Sequence, residues 1–117
     1  MGRDDVPKPV QASELSDKGY KDAAAVLTGG VLEAHLRALC VKCGVATDMP
    51  NGSPKKATLL NVDLVKASAY NSIQSKAIES WLAIRNAAAH GEYTKYDAAG
   101  VSNMIAAVES FIALNPA

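Results

Sequence analysis

Apolar positions recur every three to four residues along most of this chain, and period-two alternation is absent over any useful length. The pattern predicts four helices and no sheet. Ala24, Leu27, Val31 and Ala38, with Leu32 and Leu39, mark the apolar stripe of a long first helix. That helix opens near Ser16 and Asp17, where Asp17 is able to cap it, and stops at Gly44. Gly29 and Gly30 in its middle each cost roughly 1 kcal/mol against alanine, which points to a close helix contact or a bend there. Residues 45–56 contain Pro50, Asn51, Gly52 and Pro54, the chemistry of turns, and form the longest loop. Thr58 then opens a shorter helix carrying Leu60, Leu64 and Ala67, which closes near Tyr70. Ile73, Ala77, Trp81, Ile84 and Ala88 set a third stripe that runs to Gly91. Asp97 is a good N-cap for a fourth helix with Val101, Met104, Ile105, Val108, Phe111 and Ile112 on one face.

Composition narrows this outline. A chain of 117 residues fits one domain able to bury roughly 65% of its unfolded surface, so one core forms without metal or disulfide staples. Residues 1–12, with Pro7 and Pro9 among charges, read as a flexible tail, and residues 13–117 as a single helical domain. Twelve basic residues balance twelve acidic ones, which argues against a broad basic nucleic-acid surface and leaves only a local patch. No unbroken apolar run approaches the ~20 residues that cross a bilayer, and the first residues lack the apolar stretch of a secretion signal. The expectation is a cytoplasmic protein without a membrane contact. Met1 and Gly2 resemble a myristoylation start, but Val6 replaces the Ser or Thr it requires. Cys40 and Cys43 form a lone C-x-x-C inside a helical pattern, without a second ligand pair for zinc or a preceding strand for a redox fold, and read as reduced structural thiols.

The chemistry concentrates in "WLAIRNAAAHGEY", residues 81–93, where Arg85, Asn86 and His90 interrupt an alanine-rich helix near its end. At ~100° per residue, Arg85 and His90 stand ~140° apart around the axis and ~7.5 Å apart along it, so they do not share a face. Asn86, four residues before His90, is its neighbour and can hydrogen-bond the ring. A two-fold axis beside the motif would bring two copies together and place two arginines and two histidines around one cleft. Such a cleft suits phosphodiester cleavage without metal: a histidine with an ordinary pKa of ~6.5 passes protons near neutral pH while guanidinium stabilises the crowded phosphorane. No carboxylate cluster with metal-ligand spacing accompanies the two histidines, and no cofactor is expected.

"IRNAAAHG" after a tryptophan-bearing helix resembles the R-x4-6-H signature of HEPN domains, small all-helical proteins that include many metal-independent RNases and toxins. "AAAVLTGGVLEAHLRALCVKCG" is similar to their first helix, with Leu32, Glu33, Leu36 and Arg37 as the "LE-x-x-LR" run, and "TLLNVDLVKA" resembles their second. The resemblance covers about residues 16–115. It implies a HEPN-like four-helix up-and-down bundle acting as a homodimer on RNA, with Arg85 and His90 as the catalytic pair and Asn86 as the polar residue after the arginine. The implied chemistry is attack by the RNA 2′-hydroxyl on the adjacent phosphate, in a toxin or phage-defence setting, with an antitoxin or nucleotidyltransferase as a further partner. Relatives paired with a nucleotidyltransferase carry a tyrosine two residues after the histidine, whereas this chain has Glu92 there and Tyr93 one place later.

Each residue also has a plainer reading. Arg85 is able to stack on Trp81 or pair with a carboxylate, and His90 to cap its helix. Trp81 shares a face with Ala77 and Ile84 and reads as core. Glu33 and Arg37, four apart, suit a solvated ion pair, although the resemblance makes Glu33 a secondary candidate near the cleft. His35 falls within the apolar stripe, either as a hydrogen-bonded core histidine or as a second titrating group facing the site. Lys55 and Lys56 are a short basic pair suited to phosphate or to plain solubility. The rival to the nuclease is a non-catalytic helical module for dimerisation or partner binding, and a third reading is a nucleotide-binding HEPN domain.

Overall fold

Lys21–Cys43 form helix α1 in a computed structural model that describes residues 20–117. The expected tail and the Asp17 cap lie outside the described residues. α1 ends as its sequence predicts: Gly44 takes the left-handed conformation at φ 72°, and the Val45 amide donates back to the Cys40 carbonyl at 2.8 Å. Its buried face differs from the expected stripe. Ala25, Thr28, Gly29, Leu32, Leu36, Leu39 and Cys40 point inward with Ala24, while Leu27, Val31 and Ala38 are exposed. The helix is apolar on nearly every side, so spacing alone offers two stripes. The buried one carries Ala24 and Ala25, which pack with Ala88, Val101 and Ile105, and Gly29.

The loop over residues 44–56 closes on itself through the Met49 amide to the Ser53 carbonyl at 2.7 Å and the Lys55 amide to the Thr47 carbonyl at 2.9 Å. Helix α2, Ala57–Lys66, begins one residue before Thr58 and buries Ala57, Leu60, Asn61 and Leu64. Asn61 is a buried polar residue with both ends of its amide satisfied. Its Nδ2 donates to the Ser75 carbonyl at 3.0 Å, and its Oδ1 accepts from the Tyr70 hydroxyl at 2.7 Å, which ties α2 to the start of the next helix. Burial pushes the Tyr70 hydroxyl pKa upward.

Helix α3, Ser72–Ala89, is capped by Asn71, whose Oδ1 accepts from the Gln74 amide at 2.9 Å. It buries Ile78, Leu82, Ala87 and Ala88. The expected stripe is therefore rotated by about one position: Ile73 is 78% exposed, and Trp81 and Ile84 sit half-buried against the core. Trp81 packs on Phe111 with ring centroids 6.2 Å apart, in keeping with a core role. Gly91, at φ 74°, reverses the chain after α3, with the Glu92 amide on the Ala87 carbonyl at 2.8 Å. A short 3-10 turn, Tyr93–Lys95, leads to helix α4, Ala98–Leu114, where Asp97 accepts from the Gly100 amide at 2.7 Å and the predicted face of Val101, Met104, Ile105, Val108 and Phe111 is buried.

The described residues are thus all-α, with an isolated bridge between Asp48 and Pro54 and no strand. α1 packs against all three other helices, and the main core gathers its Leu32, Leu36 and Leu39 with Leu60, Leu64, Ile78, Leu82, Met104, Val108 and Phe111. α1 is also long and apolar enough, by length and composition alone, to cross a membrane, although charged residues interrupt its apolar run. Its central place in the core accounts for the apolar character of one side only. Cys40 is buried in that core, with its thiol pKa raised by burial, and Cys43 is exposed; both are free.

Candidate functional site

On α3, Arg85 faces α1 at Gly29, where α1 presents no side chain. A Cβ on Gly29 would stand 2.6 Å from the Arg85 Cβ and 2.0 Å from its Cγ, so the arginine stem occupies the space a side chain would need. The close contact expected of the two glycines is realised at Gly29; Gly30 has nothing within 4 Å. Lying across Gly29, the side chain reaches Glu33, one turn along α1, where Arg85 Nη1 donates to Glu33 Oε1 at 3.2 Å. Arg85 Nε donates to Asn86 Oδ1 at 3.2 Å. The guanidinium is oriented from both sides.

Glu33 shares its two oxygens between two arginines, since Oε2 accepts from Arg37 Nη2 at 2.8 Å. Burial by itself raises the pKa of this carboxyl, but the hydrogen bonds and charges of Arg37 and Arg85 outweigh it and hold Glu33 below the usual glutamate range. The expected Glu33–Arg37 pair is present, and it is more than a solvated surface pair. Arg37 Nη2 also donates to the Lys55 carbonyl at 2.7 Å and Nη1 to the Thr47 carbonyl at 3.4 Å. Through Arg37 the ion chain fixes the loop that delivers Lys56 and the first turn of α2.

A cavity of about 340 Å³ opens among α1, α2 and α3. Arg85, Asn86 and His90 line one wall, Glu33 another, and Lys56, Ala57 and Thr58 the side formed by the start of α2. The expectation that one chain keeps Arg85 and His90 on separate faces does not hold for their side chains. Wheel angles locate Cβ directions, whereas Arg85 is long and drawn toward Asn86, and His90 is already the C-cap of α3, outside the regular spiral. The expected Asn86–His90 side-chain bond is replaced by two others: the amide oxygen serves Arg85, and the His90 backbone amide donates to the Asn86 carbonyl at 3.0 Å. The His90 ring is exposed and makes no hydrogen bond to another described residue.

The α2 side adds donors. Lys56 is the N-cap and gives no side-chain cap, and the amides of Ala57 and Thr58 have no acceptor within their own helix. The dipole at this terminus favours an anion, and it opposes the weak negative end of α3 beside His90. With Glu33 neutralised between Arg37 and Arg85, Lys56 leaves the cleft net positive. It offers an anion a guanidinium edge, an ammonium, two backbone amides and the Thr58 hydroxyl, with one imidazole for proton transfer.

The other sequence candidates lie elsewhere. His35 is half-buried, its Nε2 within 2.7 Å of the Asn115 carbonyl and its ring edge-on to Phe111 at 5.9 Å, so it is the hydrogen-bonded core histidine and does not line the cleft. Lys55 turns away to pair with Asp63 at 2.8 Å. Tyr93 is exposed on the 3-10 turn, where its carbonyl accepts from Lys21 at 2.8 Å; Lys21 also lies 4.0 Å over the Tyr96 ring and contacts Asp22. Tyr96 donates to Asp22, which lowers the Asp22 pKa, while burial first and then Asp22 raise that of Tyr96. Sequence reasoning missed Thr58 and Gly29 as parts of the site. The signals were present as a hydroxyl after a basic pair and as a glycine one turn before Glu33. Among the described residues, no three His, Cys, Asp or Glu side chains gather as a metal site.

Fold and site together define an all-α protein with a cationic cleft between three helices. No family model, no curated protein and no solved structure matches the chain.

Proposed function

We propose that this chain is a HEPN-type endoribonuclease that cleaves RNA in the cleft without a metal ion. The observation that supports it most is that Arg85, Asn86 and His90 line one cavity with the donor-rich start of α2. In this reading a backbone phosphate binds between Arg85 and the first turn of α2. The 2′-oxygen bonds to phosphorus, the P–O5′ bond breaks with its electron pair passing to O5′, and a proton moves in net from the 2′-hydroxyl to O5′ through His90 as general acid or base. The products are a 2′,3′-cyclic phosphate and a 5′-hydroxyl. Asn86 orients Arg85, and Lys56 holds the incoming strand. A homodimer, a toxin or phage-defence setting, and an antitoxin or nucleotidyltransferase partner belong to the same reading. Tyr93 is offset from the position such a partner modifies.

One observation favours the rival, a non-catalytic module: Arg85 already has an anionic partner in Glu33. The distinguishing experiment incubates RNA in EDTA with the wild type, Arg85→Ala and His90→Ala, with folding checked by circular dichroism and the product ends analysed. The nuclease requires cyclic-phosphate ends from the wild type and a rate loss of about 100-fold or more in each variant. Equal cleavage by all three proteins, or none by any, selects the module.

A further inference from the structure

Among the residues that line the cleft, Glu33 alone carries a negative charge, and it sits on the arginine that an anionic ligand needs. The two arms of its carboxylate are unequal. Oε2 accepts from Arg37 Nη2 at 2.8 Å, a short charge-assisted contact, whereas Oε1 accepts a single bond from Arg85 Nη1 at 3.2 Å, without the paired fork that makes such contacts strong. Neither arginine depends on Glu33 for its place. The Arg85 stem lies across Gly29, and its Nε donates to Asn86 Oδ1 at 3.2 Å. Arg37 keeps the carbonyls of Lys55 and Thr47. Breaking the longer arm therefore leaves the carboxylate paired and frees one guanidinium edge on an anchored stem. The side chains of Glu33 and Arg85 are 27% and 23% exposed, so solvent reaches the pair and a dissolved ion can compete for it.

We propose that Glu33 is an internal counter-anion of the cleft: its carboxylate occupies the binding edge of Arg85 in the unliganded protein and yields that edge to a phosphate. Glu33 thus sets how tightly the cleft binds and takes no part in bond breaking. An arriving phosphate is opposed twice, by the bond it must replace and by repulsion from a carboxylate that stays close to Arg37. An anion that meets Arg85 alone gains little from the exchange. A nucleic-acid backbone also meets Lys56 and the Thr58 hydroxyl across the cleft, and these contacts offset the loss. The proposal rests on the reading of the cleft as an anion site, but not on cleavage.

The test is fluorescence anisotropy with a labelled 2′-O-methyl RNA oligonucleotide, which has no free 2′-hydroxyl and reads binding alone. Glu33→Gln keeps the shape and an oxygen for Arg37 but removes the charge, and it should bind about 10-fold more tightly than the wild type at the same ionic strength. Glu109→Gln, an exposed change of equal charge on α4, should stay within about twofold of the wild type. In an Arg85→Ala background the gain from Glu33→Gln should shrink to about twofold or less. Equal or weaker binding by Glu33→Gln, or the same gain with and without Arg85, overturns the proposal. Circular dichroism checks the fold of each variant, and a second measurement needs no variant: inorganic phosphate titrated into the wild type should shift the NMR signals of the Arg85 Nε–H and the Glu33 carboxyl in step. A shift at Arg85 without one at Glu33 overturns the proposal equally. Cleavage of ordinary RNA by the wild type separates the two ideas. A protein that cuts nothing but gains affinity in Glu33→Gln sinks the nuclease and keeps the counter-anion, a cutting protein without that gain does the reverse, and no binding by any of the proteins sinks both.

Discussion

Gly29→Ala and Gly30→Ala, adjacent and chemically identical changes, should move stability in opposite directions. In mid-helix, replacing glycine by alanine ordinarily stabilises by about 1 kcal/mol. At Gly30 nothing lies within 4 Å of the new methyl group, so that gain should appear in full. At Gly29 the methyl carbon would sit 2.6 Å from the Arg85 Cβ, an atom set by the α3 backbone, and 2.0 Å from its Cγ. Rotating the arginine removes only the second clash. α1 and α3 must also separate by roughly 1 Å to restore ordinary carbon contacts of ~3.5 Å. Overpacking of this kind costs about 1–3 kcal/mol, which outweighs the helix-propensity gain and leaves Gly29→Ala destabilised by about 1 kcal/mol. Thermal melts of dilute protein should show Gly29→Ala lower and Gly30→Ala higher than wild type, each by about 4–8 °C. Adding Arg85→Gly, which removes the Cβ as well as the Cγ, should relieve much of the Gly29→Ala penalty, a coupling that a double-mutant cycle measures. If Gly29→Ala melts at or above Gly30→Ala, or if the cycle shows no coupling, the close approach of Arg85 to α1 is not what determines this contact.

Asn61→Ala should cost about 1–3 kcal/mol in urea unfolding, because the Tyr70 hydroxyl and the Ser75 carbonyl lose a buried partner together. Glu33 has its folded pKa depressed by two arginines, so the stability it adds is complete above the unfolded value of about 4.3 and is lost as the pH falls toward and through the folded value. Glu33→Gln should flatten that acid limb in urea midpoints measured against pH, and an unchanged limb would contradict the assignment. Lys55→Ala and Lys56→Ala should separate by phenotype. Lys55, paired with Asp63, should cost about 1 kcal/mol of stability. Lys56 should leave unfolding unchanged, weaken RNA binding, and lower the salt-dependence slope by about one, as titrations at several salt concentrations will show.

Where a helix has one apolar side and a polar remainder, as α4 does with Ser102, Asn103 and Glu109 opposite Val101, Met104 and Val108, the pattern of the chain specifies its core face directly. The Asp97 cap and the Gly44 and Gly91 endings were equally legible, because each is a local backbone requirement met by one residue type. α1 was not legible in this way. Its core and outer faces are both apolar and both mix small with large residues, and the one size requirement that sets them apart, at Gly29, is imposed by Arg85, more than fifty positions later. The site was half visible. Arg85, Asn86 and His90 are close in sequence, but the start of α2 that faces them comes from a separate segment, brought there by Arg37 holding the carbonyls of Thr47 and Lys55.

That last arrangement links the two walls of the cleft through Glu33. Glu33 divides one carboxylate between a guanidinium that lines the cleft and another that holds the opposite wall. In the proposed reading, an anion that draws Arg85 aside would leave the carboxylate to Arg37 alone, which holds the loop beside the start of α2.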